Sequence, residues 1–269
     1  MATLTDVTTP APHGDQYRLD VPAGWQQGRG AFGGFTIAAM IRAIEQRVAD
    51  PVRKVRSVTA TLASPVEVGT ADITVELLRT GNNLSAARAA LVQGGEVRAH
   101  AVAVLATSRP GSGPLAWRDL EPPEVTSWRT LPATDLAADS RMTWPAFARH
   151  FEYRPIEGLP LADGAVARTV GWLRPCEPCA VRDAAYIASL IDVWWPAAFT
   201  KFPASRPCAT IAYTLEVVTD LDGLDPEAPL LYRGSVPVCA DGFFLETREL
   251  WGEDGRLVAR NHQTFAVIA

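Results

Sequence analysis

Asp192 is the residue of this sequence whose type and position most strongly suggest chemistry. It lies in RDAAYIASLIDVWWPAAF, predicted as a helix over residues 182–199, where helical spacing puts positions 185, 188, 192, 195 and 199 on one face. That face carries Ala, Ala, Asp, Trp and Phe, so a carboxylate falls on an apolar stripe. A buried carboxylate needs hydrogen-bond partners or shifts its pKa. Asp192 is therefore either part of a structural network or a general base, and periodicity does not separate the two.

Gln263 is the second polar residue in an apolar setting. In the predicted last strand the odd positions from 257 to 267 form the inward set, because they alternate with Arg260, His262 and Thr264. Gln263 then points towards the helix side. An amide can donate and accept at once, so it could orient a water molecule beside a carboxylate. A core amide satisfied by backbone groups is the alternative, and both interpretations stand.

Gly33 and Gly34 precede a predicted apolar helix, in GWQQGRGAFGGFTIAAM. Because they have no side chains, their backbone N–H groups can approach a carbonyl oxygen or an anion closely. This arrangement suits an oxyanion site. Glycine at a helix start is also an ordinary cap, so the pair does not establish such a site by itself.

Other catalytic and metal-binding patterns are missing from the sequence. There is no G-x-S-x-G elbow, and the four histidines show no spacing for a triad or a metal. Cys176 and Cys179 have CxxC spacing, but no second pair or histidine pair accompanies them, so a Pro-rich turn is preferred to a zinc or redox site. We expect no metal and no cofactor.

Charge and hydropathy limit the partners. The 269 residues include 25 Lys and Arg against 30 Asp and Glu, with a net charge of −5 and no basic block. Nucleic acids and anionic membranes select clustered positive charge, so we expect neither as a partner. The first residues have no basic or apolar leader pattern, and no apolar stretch approaches the roughly 18 residues of a membrane span. The sequence favours a cytoplasmic protein.

Two predicted helices, over residues 34–48 and 182–199, must position the candidate residues. Both are small or apolar on most faces, which indicates burial. A strand is predicted before each, over 17–21 and 166–173, and three or four β segments after each, joined by turn signals such as Gly94-Gly95 and Asp241-Gly242. We predict an α+β fold in which an antiparallel sheet wraps round one central helix, and this unit occurs twice in the chain. In this arrangement the sheet covers the apolar helix, and each strand has a neighbour to pair with.

The two sets of elements also match in sequence. SVTATL (57–62) pairs with TIAYTL (210–215), IAAMIR (37–42) with IASLID (187–192), and GEVRAHAVAV with DGRLVARNHQTFAV, in the same order. A Pro-rich stretch separates them. We predict an N-terminal unit over 1–107, a linker over 108–145 and a C-terminal unit over 146–269.

The duplication assigns the candidate site to one copy. Arg42, Ser57 and Ala103 occupy the positions equivalent to Asp192, Thr210 and Gln263. Only the second copy has the carboxylate and the amide, so we predict one reaction centre for each chain.

These motifs together resemble the acyl-CoA thioesterase II family of double-hotdog proteins over nearly the whole chain. The resemblance depends on W-x-x-G-x-G-x-F-G-G ending at Gly34, on YIASLID, on CATI and on DGRLVARNHQ. It implies two tandem hotdog units and hydrolysis of an acyl-CoA by a water that Asp192, Thr210 and Gln263 activate. N–H groups at Gly33 and Gly34 would hold the thioester oxygen. No metal or cofactor is required, and a homodimer of such chains is compatible with the resemblance.

The chain departs from the family pattern after CATI. Family members commonly continue with Asp-His-Ser, where this chain has Ala212-Tyr213-Thr214. Strand alternation also predicts that Thr210 lies on the same face of its strand as Thr214, and not on the face of the apolar residues Ile211, Tyr213 and Leu215.

Two other functions stay open. One is a catalytically weak acyl- or polyketide-binding hotdog protein, which the departure after CATI favours. The other is a hydratase or dehydratase, which usually needs a histidine beside the aspartate. His262 adjoins Gln263 but has the opposite strand parity, so this function ranks last.

Overall fold

Two antiparallel half-sheets, each with its own central helix, make up the computed structural model, which describes residues 2–109 and 117–268. The N-terminal half contains α1 (Leu4–Thr8), β1 (Ala11–His13), β2 (Gln16–Val21), β3 (Gln26–Gln27), β4 (Gly30–Ala31), α2 (Gly33–Val48), β5 (Lys54–Leu62), β6 (Gly69–Thr80), β7 (Leu84–Gln93) and β8 (Glu96–Ala106). The C-terminal half contains β9 (Phe151–Glu157), β10 (Arg168–Pro175), α3 (Ala184–Leu190), β11 (Cys208–Val217), β12 (Leu230–Ala240), β13 (Phe243–Trp251) and β14 (Leu257–Val267).

Except for β3 and β4, which pair with each other, the strands of both halves join into one sheet. Its order over the described residues is β1-β2-β6-β7-β8-β5-β11-β14-β13-β12-β10-β9, and neighbouring strands are antiparallel. Reading outwards from the centre, β5-β8-β7-β6-β2 has the same chain order as β11-β14-β13-β12-β10. The halves meet at β5 and β11, where Thr59 lies opposite Thr214. This repeated order is what the internal duplication predicts.

Hairpin turns lie at the predicted turn signals. Gly94 and Gly95 join β7 to β8 with φ of 64° and 81°, and Asp241 and Gly242 join β12 to β13 with φ of 53° and 78°. Two successive positive φ angles match the right-handed twist of the flanking strands, which is why Gly-Gly and Asp-Gly are favoured there.

Helix α2 is buried almost all round, as its composition predicts. It has 16 residues, and those from Gly34 to Ile44 are buried between α3 and the N-terminal half-sheet. Phe32, the residue before it, makes no side-chain capping bond, so the first N–H groups of α2 are free for partners elsewhere in the fold.

The second helix is shorter than predicted. Asp183 caps α3 by accepting a hydrogen bond from the Tyr186 N–H at 2.8 Å, but the helix ends at Leu190 and not at Phe199. Pro196 disfavours helical backbone at the residue before it, and the chain continues as a short 3₁₀ turn at Ala197–Thr200. Asp192 therefore lies in the turn after α3 and not on a helical stripe.

The region between the halves packs on the C-terminal half-sheet. Residues 110–116, which belong to the predicted linker, lie outside the described residues. Further on, Leu120, Val125 and Trp128 contact an apolar cluster that includes Trp172 and Trp251. The division at 107 and 146 stays a proposal.

One apolar core runs through both halves. Side chains of α2, α3 and both half-sheets belong to the same buried cluster, so the two units share a core instead of folding round separate ones. Among the helices that the structure describes, none has the length and apolar character of a membrane-crossing segment.

Candidate active site

Asp192 lies at the contact between the turn after α3 and the start of α2. Its side chain is almost fully buried, and three donors surround it. The Gly34 N–H donates to Oδ2 at 2.6 Å, and the Gln263 amide donates to Oδ1 at 2.8 Å. Arg248 Nη1 lies 3.4 Å from Oδ1. The carboxylate therefore has the network that burial of a charge requires.

Gln263 connects Asp192 to Thr210. It is buried on the inner face of β14, as strand alternation predicts, and its Oε1 accepts a hydrogen bond from the Thr210 hydroxyl at 2.8 Å. Its Nε2 also donates to Asn261 Oδ1 at 2.9 Å. The three residues named from the resemblance thus form one hydrogen-bonded chain.

The strand alternation argued for Thr210 is wrong because β11 contains a bulge. Thr210 lies opposite Phe265 of β14, while Ala212 lies opposite Thr264, so Ile211 is the extra residue. An extra residue reverses which positions face inwards. Thr210 on one side of the bulge therefore shares the inner face with Tyr213 on the other.

The two glycines contribute differently. A Cβ on Gly34 would lie 2.8 Å from Asp192 Cβ and 2.9 Å from Ser189 Cα, so the backbones of α2 and α3 touch there. A Cβ on Gly33 would lie 3.0 Å from Asp192 Oδ2. The Gly34 N–H is already used by Asp192, whereas no partner for the Gly33 N–H is found among the described residues. Only Gly33 therefore offers a free donor of the kind an oxyanion site needs.

Arg248 and Glu246 are functional candidates that the sequence analysis missed. Both are buried, with 1% of the residue exposed, on the inner face of β13. Arg248 contacts Asp192, and its Nε lies 3.2 Å from Glu246 Oε1. The sequence FFLETRELW has apolar residues at both odd and even positions, so alternation could not show which charges face inwards.

Burial and the neighbouring groups set the proton affinity of Asp192 in opposite directions. Burial raises the pKa of Asp192, while the Arg248 guanidinium, the Gln263 amide and the Gly34 N–H lower it, with a net rise. A carboxylate with a raised pKa is a stronger base than an exposed one, and the three donors favour its charged form.

The equivalent region of the first copy is built differently. Arg42, at the position of Asp192, makes an ion pair with Asp183, the cap of α3, at 2.5 Å. A guanidinium cannot accept a proton from water, and Ala103 has no amide to replace Gln263. Between the two copies, only the second combines a carboxylate with an amide.

A cavity of about 970 Å³ lies near this Arg42–Asp183 pair, at the end of the helix pair away from Asp192. It is lined by both halves, with Glu45, Arg56 and Val181 among its residues. We place the candidate chemistry at Asp192 and not in this cavity. Asp183, a carboxylate in the cavity wall, is paired with Arg42 and caps α3, whereas Asp192 is hydrogen-bonded to Gln263 and through it to Thr210.

The histidine and cysteine candidates remain outside the site. His262 is exposed on the outer face of β14 and points away from Asp192. Cys176 is exposed, Cys179 is buried, and burial raises the pKa of the Cys176 thiol. Within residues 2–109 and 117–268, no cluster of three or more His, Cys, Asp or Glu side chains is placed to bind a metal.

Comparison with known families gives two matches that together span most of the chain. A model of the acyl-CoA thioesterase C-terminal domain matches residues 119–267, and a model of the acyl-CoA thioesterase N-terminal domain matches residues 21–107. No curated protein matches the sequence.

Solved structures confirm the predicted double-hotdog fold. A conserved protein of unknown function with a hot dog fold from Alicyclobacillus acidocaldarius is 25% identical, with a TM-score of 0.85 over 100% of this chain and 99% of its own. The acyl-CoA thioesterase II TesB2 from Mycobacterium marinum is 19% identical, with a TM-score of 0.78 over 99% of this chain and 98% of its own.

Proposed function

The chain belongs to the acyl-CoA thioesterase family, and from that premise we propose that it hydrolyses an acyl-CoA with a water molecule activated by Asp192. The observation that supports this most strongly is the setting of the Asp192 carboxylate. It is buried, charge-compensated and oriented by the Gly34 N–H and the Gln263 amide. A base must be within hydrogen-bond reach of its water, and a group held by two N–H donors has a fixed direction of approach.

Thr210 and Gln263 would orient the attacking water. The Thr210 hydroxyl gives its hydrogen to Gln263 Oε1, so the lone pairs of its oxygen are left to accept from that water. Asp192 would take a proton while the water oxygen attacks the thioester carbon. A positioned base of this kind contributes about 10²–10⁴ in rate.

The backbone N–H of Gly33 would stabilise the charge that develops on the thioester oxygen. When the tetrahedral intermediate collapses, the carbon–sulfur bond breaks and Asp192 returns its proton to the leaving CoA thiolate. Free acid and CoA are then the products. One such backbone donor is worth about 3 kcal/mol of transition-state stabilisation.

Replacement of Asp192 tests the proposal. We expect Asp192→Asn to keep the fold, because the amide occupies the same volume, and to lower thiol release from acyl-CoA by about 10²–10⁴-fold. Asp222→Asn, at an exposed position, is the matched control and should hydrolyse acyl-CoA as the unmodified protein does. Unchanged turnover in Asp192→Asn would overturn the assignment of the base.

An acyl-binding protein with little activity is the second candidate. The Ala212-Tyr213-Thr214 continuation favours it, since the family pattern has Asp-His-Ser there. A thiol-release screen across short, medium, long and aromatic acyl-CoAs, paired with calorimetric binding, separates the two. Tight binding without thiol release at every chain length would favour the binding protein.

Pairing of two chains and a cytoplasmic location also belong to the proposal. The fused halves already supply one hotdog pair, and a further dimer would be an isologous contact between two chains. Light scattering coupled to size exclusion measures the mass in solution and decides between monomer and dimer.

A further inference from the structure

Asp192 is one of two buried carboxylates that share a single guanidinium. Arg248 Nη1 lies 3.4 Å from Asp192 Oδ1, and Arg248 Nε lies 3.2 Å from Glu246 Oε1. Arg248 Nη1 also donates to the Ile191 carbonyl at 3.0 Å, which holds the guanidinium against the turn that bears Asp192. One guanidinium is therefore shared between two carboxyl groups in a region away from water.

Glu246 is held in place from three sides. Its Oε1 accepts hydrogen bonds from the Ala197 N–H at 3.2 Å and from the Tyr232 hydroxyl at 3.1 Å, in addition to Arg248. Its Oε2 has no hydrogen-bond partner among residues 2–109 and 117–268. Burial raises the pKa of Glu246, while Arg248, the Ala197 N–H and the Tyr232 hydroxyl lower it, so the charge of Glu246 also depends on Arg248.

We propose that Arg248 and Glu246 are positioning residues that tune Asp192, with Arg248 holding it ionised and Glu246 limiting how strongly Arg248 does so. This inference deepens the proposed thioester hydrolysis and rests on it. A base fully neutralised by a guanidinium would be a poor proton acceptor, while one with no counter-charge would stay protonated in a buried site. Sharing the guanidinium gives an intermediate basicity.

Few other charged or titratable groups face this cluster. Tyr213 approaches Asp192 from β11 and Tyr232 approaches Glu246 from β12, and burial raises the pKa of both phenols well above 10, so they stay neutral. Cys208 of β11 also lies near Glu246, and burial raises the pKa of its thiol to about 12. The start of α2 presents only glycines, and β14 presents the neutral Gln263 and Asn261.

Opposite pH shifts are the expected result. Arg248→Met removes the counter-charge of Asp192. The acid limb of the pH profile of kcat/KM should therefore move to higher pH by about one unit or more. Glu246→Gln removes the competing carboxylate, so the acid limb should move to lower pH. Arg248→Lys keeps the charge and should leave the acid limb close to its original position.

Glu249→Gln is the matched control. Glu249 lies on the same strand and makes a mostly buried ion pair with Arg233, but its side chain faces away from Asp192. It should leave the acid limb unchanged. Reduced kcat without a shift of the acid limb in Glu246→Gln and Arg248→Met, or a shift of equal size in Arg248→Lys or Glu249→Gln, would overturn the inference.

A second readout and a fallback variant keep the inference testable if the chemistry or the fold fails. Carbon-13 NMR titration of the Asp192 carboxyl, assigned with Asp192→Asn, reports the same opposite shifts without any turnover. Absence of thiol release in the unmodified protein would therefore defeat the proposed hydrolysis alone. If Arg248→Met does not fold, the Glu246→Gln variant decides, because it removes a charge without leaving an unpaired one beside Asp192.

Discussion

Asp192, Gln263 and Thr210 depend on each other because Gln263 is hydrogen-bonded to both of the other side chains. Gln263 donates to Asp192 and accepts from Thr210, and Asn261 Nδ2 donates to the Thr214 carbonyl at 2.7 Å, which turns its Oδ1 towards Gln263. The amide therefore has a fixed orientation, with its N–H₂ group towards the carboxylate. Loss of one member leaves a buried partner unsatisfied, which costs about 1–3 kcal/mol.

Replacement of Gln263 should be more harmful than replacement of Thr210. Gln263→Leu removes a donor from Asp192 and the donor to Asn261 Oδ1, so we expect kcat to fall by about 10²–10³-fold. Thr210→Val removes only one hydroxyl at the end of the chain, so we expect a fall of roughly tenfold. Thiol-release kinetics measures both. Thr214→Val, beyond the bulge of the same strand, is the control, and a Thr210→Val variant as active as that control would remove Thr210 from the site.

At the scale of elements, the bare start of α2 brings the site together. Glycine at 33 and 34 lets the first turn of α2 touch the turn after α3, and the Ser189 hydroxyl donates to the Gly34 carbonyl at 3.0 Å. The bulge at Ile211 then brings Thr210 to the same face as Gln263. The glycine pair at the start of α2 and the bulge in β11 therefore bring the helix start and Thr210 close to the Asp192 carboxylate.

The two glycines should respond differently to alanine. The Gly34→Ala methyl meets the backbone of α3, which cannot move away cheaply, so we expect a loss of about 1–3 kcal/mol in unfolding free energy. The Gly33→Ala methyl meets Leu62 Cδ1 at 2.9 Å, and that side chain can rotate, so the fold should survive. Because the methyl lies beside Asp192 Oδ2, thiol release should still fall. Denaturant unfolding and thiol release measure the two effects, and equal stability of the two variants would contradict the difference.

At the scale of the whole molecule, the two ends of the helix pair have diverged. One end has Asp192 with its N–H donors, and the other has the Arg42–Asp183 ion pair beside Glu45. Burial and the nearby Asp183 raise the pKa of Glu45 from 4.5 to about 7. When folding raises the pKa of a carboxyl group, the group favours the folded state at a pH below its pKa in the unfolded state. That contribution is lost as the pH rises through the pKa in the folded state.

The stability of the molecule should therefore fall as the pH rises from 4.5 to about 7 through ionisation of Glu45. Glu45→Gln removes this ionisation, so above pH 7 we expect it to be more stable by about 1–3 kcal/mol, at 1.36 kcal/mol for each pKa unit. Below pH 4.5 the two proteins should be similar. Urea unfolding across this range measures the difference, with Glu67→Gln at an exposed position as the control. Parallel pH profiles for Glu45→Gln and the unmodified protein would contradict it.

Local patterns in the sequence predicted most of the elements and singled out Asp192 and Gln263, while Thr210 and the roles of all three residues came from the family resemblance. The apolar composition of α2 indicated a buried helix, the Gly-Gly and Asp-Gly pairs marked hairpins, and alternation placed Gln263 on the inner face of β14. The repeat predicted the paired half-sheets. These features depend on residues close together in the chain, where spacing alone carries the information.

Only the tertiary structure decided where those elements break and which charges meet. Periodicity gave a helix that was too long at α3. It also gave the wrong face for Thr210, because the bulge at Ile211 is seen only in the pairing of β11 with β14. Arg248 and Glu246 come near Asp192 because β13 lies beside β14 in the sheet, more than 50 residues along the chain from Asp192. A charge network of this kind depends on distances between separate elements, and those are fixed only when the shared core forms.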